Sequence, residues 1–187
     1  MKKCLILFLM LAMLTGCAPS NVQEPEDGKL HIVATVFPAY DFARAAAGDL
    51  AEVALLLPPG TESHSYEPTP ADILKVQSCD LFLYLGGESD QWTEDALVSA
   101  QNKDMKTINL MEVLGDTIKE EEKVEGMQES GHGHEDEDEK EYDEHVWTSL
   151  RNASVICGII AETLEEMDPE NKDVYASNAA AYQEKLS

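Results

Sequence analysis

The chain has 187 residues, and its 37 Asp and Glu against 13 Lys and Arg give a formal net charge of −24. A polyanion of this kind is repelled by phosphate backbones and anionic lipid surfaces and gathers cations around itself, so nucleic acid is excluded as a partner. Beyond the leader and tether described next, roughly 155 residues remain, enough for one α/β domain with its own core.

Lys2 and Lys3 precede an apolar run from Cys4 to Leu14, too short to span a bilayer and typical of an export signal. The run ends in Leu14-Thr15-Gly16-Cys17, which resembles the bacterial lipobox, whose cysteine is lipidated and becomes the first residue of the mature chain. Cys17 is therefore the expected lipid anchor, with an ordinary signal peptide and a chance cysteine as the alternative. Loss of residues 1–17 removes two lysines and no acid and takes the charge to −26. Residues 18–29, rich in Pro, Glu, Asp and Asn, read as a flexible tether.

From Leu30 onward short β-branched apolar runs alternate with helical stretches, the pattern of a layered sheet with crossover helices. Leu30–Val36 is a predicted strand, followed by a helix from Ala39 to Ala47 that Gly48 stops. Ala51–Leu57 is the next strand, closed by Pro58-Pro59-Gly60. Thr69 has the form of an N-cap, with Pro70 at the first helical position and Asp72 in the first turn, for a helix reaching Ser78. Asp80–Leu85, a helix over 91–101 and a strand over 106–110 complete four βα-like units.

Residues 119–144 interrupt this order with thirteen acids, three lysines and almost no apolar side chains, a composition that predicts a disordered acidic loop. Regular structure resumes at Val146. Ala153, Ile156, Ile160, Leu164 and Met167 then recur on one helical face, and Asp168-Pro169 restarts a helix with Asp168 as its N-cap. That helix has no stop signal before Ser187, so it is expected to continue into a further half of a longer protein. Cys79 and Cys157 both lie in apolar surroundings and read as buried free thiols, with a disulfide as the alternative.

Two histidines carry the chemistry. His64 lies in the proline-bounded loop Pro58–Pro70, which leaves the carboxyl end of the second strand, the edge where open α/β sheets place ligands. Alone, such a histidine is more often a solvated bystander. His145, in Asp143-Glu144-His145-Val146-Trp147-Thr148-Ser149, emerges beyond the fourth strand on the same edge; its own alternative is a capping or core role near a helix start. Two imidazoles converging on one edge suit zinc, copper, iron or nickel. His132 and His134, spaced by glycine inside the acidic run, can hold divalent ions weakly and exchange them fast, as a metal-collecting loop rather than a fixed site; a plain solvated linker is the alternative. Tyr66, Trp92 and Trp147 read as packing residues and Glu88-Ser89-Asp90 as a solvated turn. No His-Glu-x-x-His helix, Gly-x-Ser-x-Gly elbow or glycine-rich phosphate loop is present, and no enzyme activity is expected.

With these residues in place, the chain from Leu30 to its end resembles the zinc and manganese ABC-importer solute-binding lipoproteins, the family that includes ZnuA and AdcA. Three segments carry the resemblance: Pro58–Pro70, Leu85-Gly86-Gly87-Glu88-Ser89-Asp90 and Asp143–Ser149. It implies an α/β fold in which residues 30–168 form the N-terminal lobe of a two-lobe metal receptor. That lobe has a four-stranded sheet and flanking helices, and 169–187 begin the long interlobe helix. His64 and His145 match the family's first two histidine ligands, while a third histidine and a carboxylate come from the second lobe. A histidine-containing insert before the second ligand marks the zinc-preferring branch. Leu150 departs from the family's usual proline.

The resemblance therefore implies a receptor anchored by lipid outside the cytoplasm, binding Zn2+ and delivering it to the membrane permease of an ABC importer. Mn2+ specificity within the same family is the nearest alternative. A surface adhesin using metal structurally and a metal-dependent hydrolase are the readings from other classes.

Overall fold

The structure, a computed structural model, describes residues 28–118 and 142–187. Strands β1 (Leu30–Ala34), β2 (Ala51–Leu55), β3 (Leu81–Tyr84) and β4 (Lys106–Asn109) form one parallel sheet in the order β2-β1-β3-β4. The chain passes from β1 outward to β2, then back across β1 to β3. The sheet thus has a topological switch point at the carboxyl ends of β1 and β3, where connections diverge and leave a crevice.

Strand alternation divides the core into two layers. Ile32, Ala34, Leu81, Leu83 and Ile108 face one side, where helices α1 (Phe37–Ala47), α5 (Leu150–Met167) and α6 (Lys172–Leu186) cover them. Val33 and Phe82 face the other side, against Val76 of α2 (Pro70–Ser78) and Ala96 of α3 (Thr93–Val98). A short α4 (Leu110–Leu114) follows β4 directly. Because successive side chains of a strand point to opposite faces, strands covered on both sides are apolar throughout, and Leu81, Phe82 and Leu83 are all fully buried.

Helix α1 approaches the sheet through Ala39, Ala43, Ala46 and Ala47, whose small side chains permit close contact. Gly48 caps it with φ 57°, donating its N–H to the Arg44 carbonyl. Helix α6 lies against α1 and α5. Tyr182 Oη donates to Asp41 Oδ2 at 2.7 Å, Asn178 Nδ2 to the Ala46 carbonyl at 3.1 Å, and Gln183 Nε2 to the Ser154 carbonyl at 2.8 Å.

Three expectations need correction. Asp168 stands at the N-cap not of α6 itself but of a 3-10 turn over Pro169–Asn171 that precedes it, and its Oδ2 accepts from Asn171 Nδ2 at 2.8 Å and Tyr175 Oη at 2.7 Å. Glu88-Ser89-Asp90 is not a solvated turn, since Asp90 is 5% exposed. Nor does the acidic stretch reach Glu144 as unordered chain, for Tyr142–Glu144 are placed and the Glu144 side chain is 10% exposed. Residues 119–141, with His132 and His134, lie outside the described residues, as do 1–27 with Cys17. Cys79 and Cys157 are both buried and free, and burial pushes the Cys79 thiol up to about 12 and the Cys157 thiol up to about 11.

Candidate metal centre

The loop from β2 to α2 is built so that its far end cannot wander. Thr69 and Asp72 form a capping box at the start of α2, and Asp72 Oδ2 accepts from Thr69 Oγ1 at 2.6 Å and from Tyr66 Oη at 3.1 Å. The Tyr66 ring also meets Trp92 edge-on at 6.1 Å between centroids. One carboxylate thereby fixes both the helix start and the loop two residues beyond His64. Burial opposes ionisation of Asp72, but bonds from the Thr69 hydroxyl, the Lys75 ammonium, the Thr69 amide and the Tyr66 hydroxyl prevail and hold its pKa at about 2, below the ordinary 3.8. Ser63–Ser65 form a 3-10 turn that carries the half-exposed His64.

A second platform rises from the end of β3. Gly86 and Gly87 have φ 84° and 72°, in the left-handed region that side chains disfavour. They turn the chain into a 3-10 turn over Glu88–Asp90. Asp90 points back into the protein, where its Oδ2 accepts from the Leu85 N–H at 2.6 Å and from Thr35 Oγ1 at 3.0 Å. This ties the ends of β1 and β3 together at the switch point and fixes the neighbouring Ser89. Burial raises the Asp90 pKa from its ordinary 3.8, against the bonds from Leu85, Thr35 and Gly86.

Glu144 reaches this platform from the chain leading into α5. Its Oε1 accepts from the Ser89 N–H at 3.1 Å and its Oε2 from Ser89 Oγ. Ser89 Oγ in turn lies 2.9 Å from His64 Nδ1. One residue further on, His145 is held by Asp143, whose Oδ1 accepts from the His145 backbone N–H at 2.8 Å and lies 3.0 Å from its Nδ1. A carboxylate only accepts, so His145 Nδ1 carries its proton and Nε2 presents its lone pair. The Trp147 ring stands edge-on to His145 at 5.6 Å.

The structure thus brings His64 and His145 together, their ring centroids 6.1 Å apart and their planes inclined at 57°. Two rings bonded to one ion at about 2.0–2.1 Å, each with a radius of about 1.2 Å, have centroids about 5.3 Å apart at a tetrahedral angle and about 6.5 Å apart when opposed, so the rings stand about 0.8 Å from the spacing of a shared tetrahedral ion. Among the described residues no group of three or more His, Cys, Asp and Glu side chains could hold a metal ion. Reading Glu88-Ser89-Asp90 as a solvated turn missed Ser89 and Asp90 as parts of this centre. The paired glycines ahead of them were the available signal.

An open parallel α/β lobe with two imidazoles meeting above its switch point belongs to the class of ligand-binding lobes that gather side chains from several loops at one sheet edge. The family model for the periplasmic zinc-uptake complex component A, ZnuA, matches residues 32–187, and the chain belongs to that family. The whole chain aligns with the zinc-binding lipoprotein AdcA of Streptococcus pneumoniae at 38% identity, covering 36% of that relative. It aligns with the manganese ABC transporter substrate-binding lipoprotein ScaA of Streptococcus gordonii at 33% identity, covering 59% of it. Among solved structures, Zn(II)-bound AdcA from Streptococcus pneumoniae superposes with a TM-score of 0.67 at 36% identity, over 85% of this chain and 31% of that one. The chain therefore spans between about a third and three fifths of the length of these two relatives.

Proposed function

We propose that this protein captures zinc outside the cytoplasm and delivers it to the membrane permease of an ABC importer, with His64 and His145 each giving Nε2 to the ion. The meeting of these two rings above the switch point is the observation that carries the reading. Both rings have Nδ1 engaged by the protein, which leaves Nε2 as the available donor on each. Two imidazoles suit zinc, and a receptor closes a tetrahedral shell around it where a catalytic zinc would keep a water; the role is binding, without turnover. In this reading the remaining donors come from outside the described residues. Manganese is the neighbouring alternative, since ScaA is named for it; its preference for oxygen donors requires two carboxylates as the missing ligands.

Relatives named as lipoproteins support attachment through lipidated Cys17. Among the described residues no helix is long and apolar enough to cross a membrane. His132 and His134 belong in this scheme to a loop that collects ions ahead of the fixed site.

Isothermal titration of zinc into the full-length chain tests the ligand assignment. His64→Ala and His145→Ala are each expected to weaken binding by more than about tenfold. Affinity equal to that of the unsubstituted protein in both variants removes His64 and His145 from the ion.

A further inference from the structure

We infer that Glu144, acting through Ser89, is a positioning residue that selects the tautomer of His64. The inference rests on the reading of His64 as a ligand, but its logic is independent of any ion. Glu144 grips Ser89 with both oxygens, Oε1 on the backbone N–H and Oε2 on Oγ. An ionised carboxylate has nothing to donate, so the single hydroxyl proton of Ser89 points at Glu144. The Ser89 oxygen then faces His64 with lone pairs only, and His64 Nδ1 at 2.9 Å has to be the donor. The relay Nδ1–H to Oγ–H to Oε2 leaves His64 Nε2 deprotonated and free to bind a cation.

The surroundings make the polarity of this chain hard to reverse. Glu144 is 10% exposed, whereas His64 is 50% exposed, so the controlling end is buried and the responding end faces the crevice. A direct Glu144–His64 contact is the longer one, 3.9 Å from Oε2 to Nδ1, so the serine is the working link. Ser89 is itself fixed through its neighbour Asp90, which is tied to Leu85 and Thr35. Asp143 sets the ring of His145 directly, so two consecutive carboxylates orient the two imidazoles by separate routes.

Glu144→Gln is the discriminating substitution because it keeps shape and reverses polarity. The glutamine carbonyl must take the Ser89 N–H, which puts its NH2 group against Ser89 Oγ. The serine proton then turns to His64 Nδ1, and the ring is expected to carry its own proton on Nε2. Long-range 1H–15N correlation spectra of the metal-free, 15N-histidine-labelled full-length protein at about pH 8, above the ordinary imidazole range, read this directly.

The expected result is an Nδ1–H His64 in the unsubstituted protein and an Nε2–H His64 in Glu144→Gln, with zinc affinity about tenfold to a hundredfold lower. Ser89→Ala should abolish the preference and Ser89→Thr should restore it, which carries the test if Glu144→Gln fails to fold. An Nδ1–H His64 in a folded Glu144→Gln, or a preference that survives Ser89→Ala, overturns the inference. A tautomer switch with unchanged zinc affinity upholds the relay and overturns the assignment of His64 as a ligand.

Discussion

Gly87 packs directly beneath the Glu144 carboxylate: a Cβ at Gly87 would lie 2.9 Å from Glu144 Cδ and 3.0 Å from Met111 Sδ. Two requirements meet at this position, a backbone φ of 72° and the absence of a side chain under Glu144. Gly87→Ala is therefore expected to lower stability by about 1–3 kcal/mol and to displace Glu144 from Ser89. Chemical denaturation together with zinc titration would register both losses; a variant with full stability and affinity would show that the close approach is dispensable.

Asp72 makes the loop that carries His64 sensitive to acid. Its pKa is about 2 in the folded protein and 3.8 in the reference state, so the folded state favours the ionised form. The stabilisation is complete above pH 3.8 and is lost as pH falls toward 2. Asp72→Asn should cost about 1–2 kcal/mol at neutral pH, and the gap to the unsubstituted protein should narrow through that window. Urea denaturation at several pH values checks this, and a pH-independent gap would contradict it.

Leu150 opens α5 and is 60% exposed, following Ser149 in an extended conformation at φ −77° and ψ 117°. The first helical position tolerates proline because its N–H has no partner within the helix, and an extended preceding residue is what proline requires. Leu150→Pro should raise stability by about 0.4–1 kcal/mol, or the melting temperature by about 1–4 °C, through lower entropy of the unfolded chain. Calorimetry showing a lower melting temperature would mean that the Leu150 N–H or side chain has a role not visible at this position.

The insert with His132 and His134 is expected to govern how fast zinc arrives rather than how tightly it is held. Deleting residues 119–141 should leave the equilibrium affinity within about threefold while slowing association, because weak donors at high local charge concentrate ions without fixing a geometry. Stopped-flow mixing with a fluorescent zinc chelator separates the two quantities. A large loss of affinity would place a ligand inside the insert.

What the sequence disclosed depended on the reach of each interaction. The Thr69–Asp72 capping box joins residues three apart, and its Thr-Pro-Ala-Asp pattern is visible without a fold. Strand β3 was equally legible because burial on both faces makes Leu81–Tyr84 apolar at every position but the last, half-buried tyrosine. By contrast, Asp90 finds Thr35 across 55 positions of sequence, and Ser89 finds Glu144 across another 55. Neither pairing leaves a local trace. Composition alone assigned Glu144 to the solvated acidic run, and only the parallel order β2-β1-β3-β4 brings its carboxylate over the end of β3. Asp168 shows a smaller shift: the Asp-Pro pair read as the cap of the last helix stands at the start of a short 3-10 turn before it, with its carboxylate on Asn171 and Tyr175. The meeting of His64 and His145 was inferable from connectivity, because both follow carboxyl ends of strands in one parallel sheet.

The central claim is that His64 and His145 share a single zinc ion. Zinc-edge X-ray absorption on the full-length chain loaded with one equivalent tests it most directly, with His132 and His134 replaced by Asn so that the insert cannot contribute imidazole. At least two imidazoles are expected at about 2.0–2.1 Å, falling by one in His64→Ala and by one in His145→Ala. Imidazole scattering that neither substitution changes would contradict it.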